Sequence, residues 1–185
     1  MKTNGGIFLI KRAEWFNISG MRTKYKVNED VDFTIRLGNR GIVIKRIPYL
    51  ITKHHTIDYR HENRMWKFFF SGYGLYPGVI FRDHFFNMTV FKKTVRSHYT
   101  SLLLLIILIF SIISLTSIDL MIVIYLFVLA LRSLLHAQKI RSNRNKIIYF
   151  FERFFLQFLL DMSFWVGALL FYPGIKRLEY KSLAS

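Results

Sequence analysis

The run Asn28-Glu29-Asp30-Val31-Asp32-Phe33 brings three carboxylates close together, and an apolar pattern that ends in Gly38-Asn39-Arg40-Gly41 follows it. Asn is a frequent helix N-cap, so the pattern predicts a helix that begins at Glu29 with the acids in its first turn. The unpaired backbone N–H groups and the positive end of the helix dipole favour ionised acids there. We therefore expect these carboxylates to be presented rather than buried. An ionised acid in this position can act as a general base if a cleft faces it.

Short apolar and helical signals alternate on both sides of this acidic helix. Residues 7–10 follow Gly5-Gly6 and predict a brief buried strand, and residues 11–18 have helical character up to Gly20. Gly41-Ile42-Val43-Ile44 predicts the start of a second strand, which passes Pro48 and ends near Thr52, just before His54-His55. The resulting order of strand, helix, helix and strand predicts an α/β region with an incomplete sheet over residues 1–59.

The composition indicates a membrane protein. The chain has 185 residues, 52% of them hydrophobic, with 19 Phe and a formal net charge of +16. Basic excess beside long apolar runs is typical of membrane proteins with basic cytoplasmic flanks. No stacking platform or groove-reading motif is present, so nucleic acid is not an expected partner. Cysteine is absent, which excludes disulfides and thiolate metal sites.

Two apolar runs, residues 102–117 and 120–131, are separated by Asp119. With their flanks, each approaches the roughly 17 to 25 residues that cross a bilayer, so residues 98–135 predict a transmembrane helical hairpin. Basic residues lie before the first run and after the second but not at the turn, and the positive-inside rule then places both ends in the cytoplasm. We expect an integral protein of the cell membrane with a basic cytoplasmic loop at residues 136–146. A single long buried helix is the alternative.

The segments that flank the hairpin are also expected at the membrane. Residues 60–97 combine many aromatic and basic side chains, which predicts amphipathic interfacial helices broken around Gly72, Gly74 and Pro77-Gly78. Residues 147–185 predict a third membrane-associated helix and a basic tail. Because Glu152, Arg153 and Asp161 are costly in contact with lipid, this helix should pack on the hairpin or lie partly in the interface. Whether residues 147–172 span the bilayer is open.

The order of motifs over residues 4 to about 75 resembles the acceptor-side half of a family 2 glycosyltransferase with a GT-A fold. The matching elements are Gly5-Gly6-Ile7-Phe8-Leu9-Ile10-Lys11-Arg12, Phe16, Gly20, the acidic run at 28–33, Arg36-Leu37 and Gly41. Such enzymes often carry membrane hairpins after the catalytic domain. The resemblance implies a partial GT-A-like domain in a membrane enzyme that transfers a sugar, with inversion, from a nucleotide-sugar donor to a lipid-linked or glycan acceptor.

The resemblance also implies roles for individual residues. Asp30 would be the base that deprotonates the acceptor hydroxyl, and Glu29 would shape the site. The expected substrate-binding residues are Gly5, Gly6, Asp32, Arg36, Arg64 and Trp66. Arg64 and Trp66 belong to a run similar to the Gln-x-x-Arg-Trp motif of processive synthases, with the Trp displaced by one position. As alternatives, the acids only complement the helix dipole, and Arg64 and Trp66 are interface residues.

A divalent metal, Mg or Mn, is implied by the family, but its Asp-x-Asp site is not expected in this chain. Asp30-Val31-Asp32 fits that pattern literally, yet it opens a helix after polar residues instead of ending a strand, and no other Asp-x-Asp occurs. His54 and His55 are candidate metal ligands, with an exposed loop pair as the alternative. The nucleotide-binding half is then expected to be either encoded separately, as a partner, or lost from this reading frame. The alternative function is a non-catalytic membrane subunit or relic that binds a partner protein or anionic lipid.

Overall fold

The computed structural model describes residues 9–45, 63–113, 118–138 and 145–174. The chain divides into two compact units, one made of Met1–His61 with Tyr172–Ser185 and the other of Glu62–Phe171. All regular secondary structure within the described ranges is helical.

The predicted α/β sheet is wrong for the described part of the first unit. This part contains helices α1 (Arg12–Asn17) and α2 (Glu29–Asn39), whereas residues 9–10 and 42–45 are irregular. Residues 1–8 and 46–61 of the predicted region lie outside the described residues. A strand is stable only beside paired neighbours, and about three strands with an apolar face are needed for a sheet. Of the described residues in these two segments, Leu9 and Val43 are exposed, and the Ile side chains pack in a helical core instead of in a sheet.

The core of the first unit forms around α2. Ile18, Phe33 and Leu37 are buried, and the partly buried residues packed on them are Ile10, Trp15, Met21, Ile42 and Ile44. The rings of Trp15 and Phe33 lie 5.2 Å apart between centroids. Ile10, Ile42 and Ile44, which the sequence pattern assigned to strands, therefore contribute side chains to a helical core.

The second unit is a helical bundle with helices packed on one end. Its elements are α3 (Asn63–Phe70), a 3₁₀ turn (Tyr73–Leu75), α4 (Tyr76–Asp83), α5 (Met88–Ser97), α6 (Tyr99–Ile113), α7 (Ile118–Gln138) and α8 (Lys146–Leu169). Helices α6, α7 and α8 pack on each other around buried Ile107, Tyr125 and Leu129, and α3 and α4 pack on α8. The charged residues of α8 predicted that this helix either packs on the hairpin or lies partly in the interface, and the structure shows it packed on α6 and α7.

Helix α7 has the length and apolarity needed to cross a membrane. Within Asp119–Gln138, an 18-residue stretch has a mean hydropathy of 2.1, and 22% of that stretch is buried within the protein. Helices α5 and α6 have this length and apolarity only when they are counted together as one span, and the chain bends by 91° between them. The described residues thus contain one possible spanning helix, or two if the bent pair counts as one span.

A buried polar cluster joins the three bundle helices at Asp161. Its Oδ1 accepts hydrogen bonds from the Thr100 and Ser101 hydroxyls of α6 at 2.9 and 2.7 Å and from Gln157 at 3.0 Å. Its Oδ2 accepts one from the Tyr125 hydroxyl of α7 at 3.0 Å. Both carboxyl oxygens are therefore satisfied by protein donors, so this group fixes how α8 packs against α6 and α7.

We expect Asp161→Ala to lower the stability of the bundle by about 2 to 4 kcal/mol, because several buried donors lose their acceptor together. Asp119→Ala is the matched control, since Asp119 is exposed in the first turn of α7. Thermal unfolding of the full chain in detergent, followed by circular dichroism, measures the effect. Equal unfolding midpoints for the two variants would show that the cluster does not hold the helices together.

The candidate catalytic helix

Helix α2 begins at Glu29, as the sequence predicted, but the side chain of Asn28 does not cap it. Asn28 has a left-handed backbone with φ of 65°, and its side chain makes no capping hydrogen bond. Side-chain capping requires an extended N-cap residue, whereas Asn tolerates the left-handed region better than most residues. The Asn28 carbonyl oxygen instead accepts the N–H groups of Val31 and Asp32, both at 3.1 Å. The backbone of Asn28 therefore starts the helix.

Asp32 is buried, so the expectation that it is presented to a substrate is wrong. Its side chain is 0% exposed, and its Oδ2 lies 2.8 Å from Nε of Arg36, one helical turn further on. Nη1 of Arg22 lies 3.6 Å from the other carboxylate oxygen. A carboxylate that two guanidinium groups hold inside the fold is a structural group. In this position the Asp32 carboxylate faces arginines instead of a sugar donor or a sugar acceptor.

Arg36 extends this ion pair to the segment that follows α1. Its Nη1 donates to the carbonyl oxygen of Ile18 at 2.5 Å, and its Nη2 donates to that of Gly20 at 2.6 Å. Gly20 needs its lack of a side chain, since it has φ of 56° and a Cβ there would lie 2.8 Å from the Trp15 indole. The Asp32–Arg36 pair thus holds residues 18–20 against α2. This is the role that the structure shows for Asp32 and Arg36, two of the six residues that were predicted to bind substrate.

Glu29 and Asp30, at the same end of α2, differ from Asp32 in their burial and in their ion pairing. Both are half-buried, and Oδ1 of Asp30 accepts the N–H of Val31 at 2.8 Å. The backbone carbonyl of Asp30 accepts the hydroxyl of Thr34 at 2.7 Å. Across the described ranges, neither acid forms a salt bridge. Asp30 is therefore anchored through one carboxyl oxygen, and no hydrogen bond or ion pair from the described residues engages the other.

The remaining predicted site residues are not brought to α2 within the described residues. Gly5, Gly6, His54 and His55 lie outside those residues, and of Arg64 only the backbone, in α3, is described. Trp66 is half-buried in the second unit, where its ring lies 5.8 Å from that of Phe70 and 6.4 Å from that of Phe155 in α8. These contacts pack the Trp66 ring on aromatic side chains of the second unit, and its contact with a sugar stays a prediction.

The described residues do not fit the divalent metal that the resemblance implies. Among them, no group of at least three His, Asp or Glu side chains is arranged to hold a metal ion. Asp30-Val31-Asp32 does not offer a pair of ligands, because both oxygens of Asp32 face guanidinium groups. The ligands that the resemblance implied, His54 and His55, lie outside the described residues.

Arg22 is the residue at this helix that sequence reasoning missed. The spacing of Asp32 and Arg36 is that of an i,i+4 ion pair, which is a signal for a structural pair on a helix. Arg22 lies ten positions before Asp32 in the chain, and no local spacing predicts its approach.

Comparisons with protein-family models, with curated proteins and with solved structures found no significant match. The resemblance to family 2 glycosyltransferases therefore depends on the order of motifs in the sequence, and the function is inferred from the chemistry of α2 and the character of the helical unit.

Proposed function

We propose that this chain is the acceptor-side part of a membrane glycosyltransferase, in which Asp30 is the general base. The observation that supports this most is the difference between the acids of α2. Asp32 is held by arginines, whereas Asp30 is half-buried, anchored by the Val31 N–H and engaged in no ion pair within the described residues. A carboxylate that is oriented but not neutralised by a cation is suited to accept a proton.

The proposed reaction is an inverting displacement. The acceptor hydroxyl oxygen attacks the anomeric carbon of the donor sugar, and its proton moves to the carboxylate of Asp30. The new glycosidic bond forms as the bond between the anomeric carbon and the diphosphate breaks, and the nucleoside diphosphate leaves with that electron pair. A sugar hydroxyl is a weak nucleophile, so a positioned base contributes about 100 to 10,000-fold to the rate.

A membrane location fits the lipid-linked or glycan acceptor. Helix α7 is long and apolar, and large side chains such as Leu120, Val123 and Phe127 are exposed on it. Exposed apolar surface of this extent requires a partner or lipid. We place α6 and α7 in the cell membrane as a hairpin, with both ends and α2 on the cytoplasmic side, where nucleotide sugars are available. The basic residues at its ends support this orientation.

The donor-binding part is supplied, in this proposal, by further sequence, either in the same polypeptide or in a separately encoded one. A non-catalytic membrane subunit is the second candidate, and the charge of +16 favours it because basic surface attracts anionic lipid without any catalysis. The two candidates differ in whether membranes that contain the chain transfer sugar.

The test is incorporation of radiolabelled sugar from a panel of nucleotide sugars into lipid or glycan. Membranes containing the chain together with its donor-binding part are compared with membranes containing the donor-binding part alone. We expect incorporation that depends on this chain. Equal incorporation in the two preparations would contradict the glycosyltransferase proposal and favour the non-catalytic subunit.

A further inference from the structure

The outer face of helix α5 carries an apolar stripe that the protein does not cover. Val90 and Thr94 point inward and are buried, whereas Met88, Phe91 and Val95 are exposed. The exposed residues are spaced as i, i+3 and i+7, so they share one side of the helix. Phe85 and Phe86, just before the helix, are also exposed, and Phe86 is 99% exposed.

Basic side chains border this stripe. Lys92 and Arg96 are exposed, and their positions along the helix place them next to Met88, Phe91 and Val95. Lys93 is also exposed but lies on the opposite side from the stripe. Asn87 caps the helix by accepting the N–H groups of Thr89 and Val90 at 3.0 and 3.2 Å, which defines where the helix begins. Aromatic and aliphatic groups beside long cations are typical of helices that lie in a membrane surface.

The angle between α5 and α6 is fixed by contacts at their corner. Arg132 of α7 donates to the Ser97 carbonyl oxygen at 3.0 Å and to the Thr100 hydroxyl at 2.6 Å. His98, between the two helices, stacks on Phe164 of α8 with 5.1 Å between ring centroids. The exposed cations beside the stripe are Lys92 and Arg96.

We propose that α5 is a docking surface for anionic phospholipid, with its apolar stripe among the upper acyl chains and Lys92 and Arg96 at the headgroup phosphates. The bend of 91° directs α5 along a bilayer surface when α6 crosses the bilayer. Long basic side chains can keep their stems on apolar groups and reach phosphates with their charged ends. This inference rests on the membrane location proposed above and is independent of sugar transfer.

The test uses single cysteines labelled with an environment-sensitive fluorophore, because the chain has no cysteine of its own. Phe91→Cys and Val95→Cys report on the stripe, Lys93→Cys is the matched control on the opposite side, and Phe127→Cys reports on α7. The full chain is placed in detergent, in phosphatidylcholine vesicles and in mixed phosphatidylcholine and phosphatidylglycerol vesicles. Quenching by aqueous iodide measures how far each label is protected.

In the mixed vesicles we expect protection at positions 91, 95 and 127, and continued quenching at position 93. Neutralising Lys92 and Arg96 together with Gln should reduce the anionic-lipid-dependent protection of positions 91 and 95, by about fivefold in the docking equilibrium for each cation removed. Protection at position 127 without protection at 91 and 95 would overturn this inference alone. Quenching at all these positions would overturn the membrane location as well.

Two further outcomes would also overturn the lipid proposal. Protection at positions 91 and 95 that is already complete in detergent and increases with protein concentration would assign the stripe to a second copy of the chain. Equal protection in phosphatidylcholine and in mixed vesicles would remove anionic phospholipid as the specific partner.

Discussion

Asp30→Asn is expected to slow sugar transfer by about 100 to 10,000-fold, which is the range that a positioned general base contributes. The amide is nearly isosteric with the carboxylate, and its oxygen can still accept the Val31 N–H that Asp30 accepts at 2.8 Å. The helix start should therefore remain intact while proton acceptance is lost. The measurement is the initial rate of radiolabel incorporation at saturating donor, with the donor-binding part present.

Two other acids of the same unit serve as controls for this prediction. Glu14 is half-buried in the first turn of α1, so Glu14→Gln removes a comparable charge and should leave the rate unchanged. Asp32→Asn should act differently from both, because it leaves Arg36 buried without its counter-charge and destabilises the contact with residues 18–20 by about 3 to 5 kcal/mol. Hydrogen exchange at residues 18–22 of the full chain distinguishes these effects.

The outcomes separate a base from a structural acid. If Asp30→Asn transfers sugar at an undiminished rate, Asp30 is not the base. If Asp30→Asn instead increases exchange at residues 18–22 as Asp32→Asn does, its effect on the rate is a folding defect and the assignment fails as well. Slowed transfer with unchanged exchange is the result that the proposal requires.

The helices could be predicted from the sequence because their signals are local. The acids of the first turn and the Gly-containing end marked α2, and long apolar runs marked α6 and α7. The absence of the predicted strands from the described residues could not be foreseen. The segment around Ile42 and Ile44 has the same apolar pattern whether it pairs in a sheet or packs on a helix. That choice depends on neighbouring strands, which a local pattern does not include.

At the candidate site, the difference between Asp30 and Asp32 could not be predicted in full either. Both acids fall in the first turn of α2, and the helix dipole favours both equally. Burial of Asp32 depends on its ion pair with Arg22 and on the hydrogen bonds that Arg36 donates to residues 18 and 20, all of which are distant in the chain. Likewise, Asp161 was recognisable as a costly charge in an apolar helix, but its hydroxyl partners on α6 and α7 were not.

Gly78→Ala is expected to separate α4 from α8 and to destabilise the helical unit by at least about 3 kcal/mol. A Cβ at Gly78 would lie 1.9 Å from the carbonyl oxygen of Phe164 and 2.7 Å from the backbone N of Ala168. Backbone atoms inside a helix cannot rotate away as a side chain does, so the whole of α4 must move. Gly167→Ala should have the same effect from the other side, because its Cβ would lie 1.9 Å from the Leu75 carbonyl oxygen.

The displacement should also release the end of α8. Arg82 of α4 donates through Nη1 to the Phe171 carbonyl oxygen at 3.0 Å and to that of Ala168 at 3.4 Å, so it satisfies carbonyl groups that the helix itself leaves unpaired. When α4 moves, these hydrogen bonds are lost together with the close packing. Faster hydrogen exchange at the amides of residues 76–83 and a lower thermal midpoint of the full chain in nanodiscs measure both losses.

Gly74→Ala is the matched control within the same unit. The nearest atom to its added Cβ is the terminal Cδ2 of Leu160 at 3.1 Å, and a flexible side chain can move by the few tenths of an ångström required. We expect a small change for Gly74→Ala and a large one for Gly78→Ala and Gly167→Ala. Similar midpoints and exchange rates in all three variants would mean that α4 and α8 do not approach backbone to backbone. The graded result would instead show that these two glycines, more than the apolar side chains around them, permit the packing of α4 on α8.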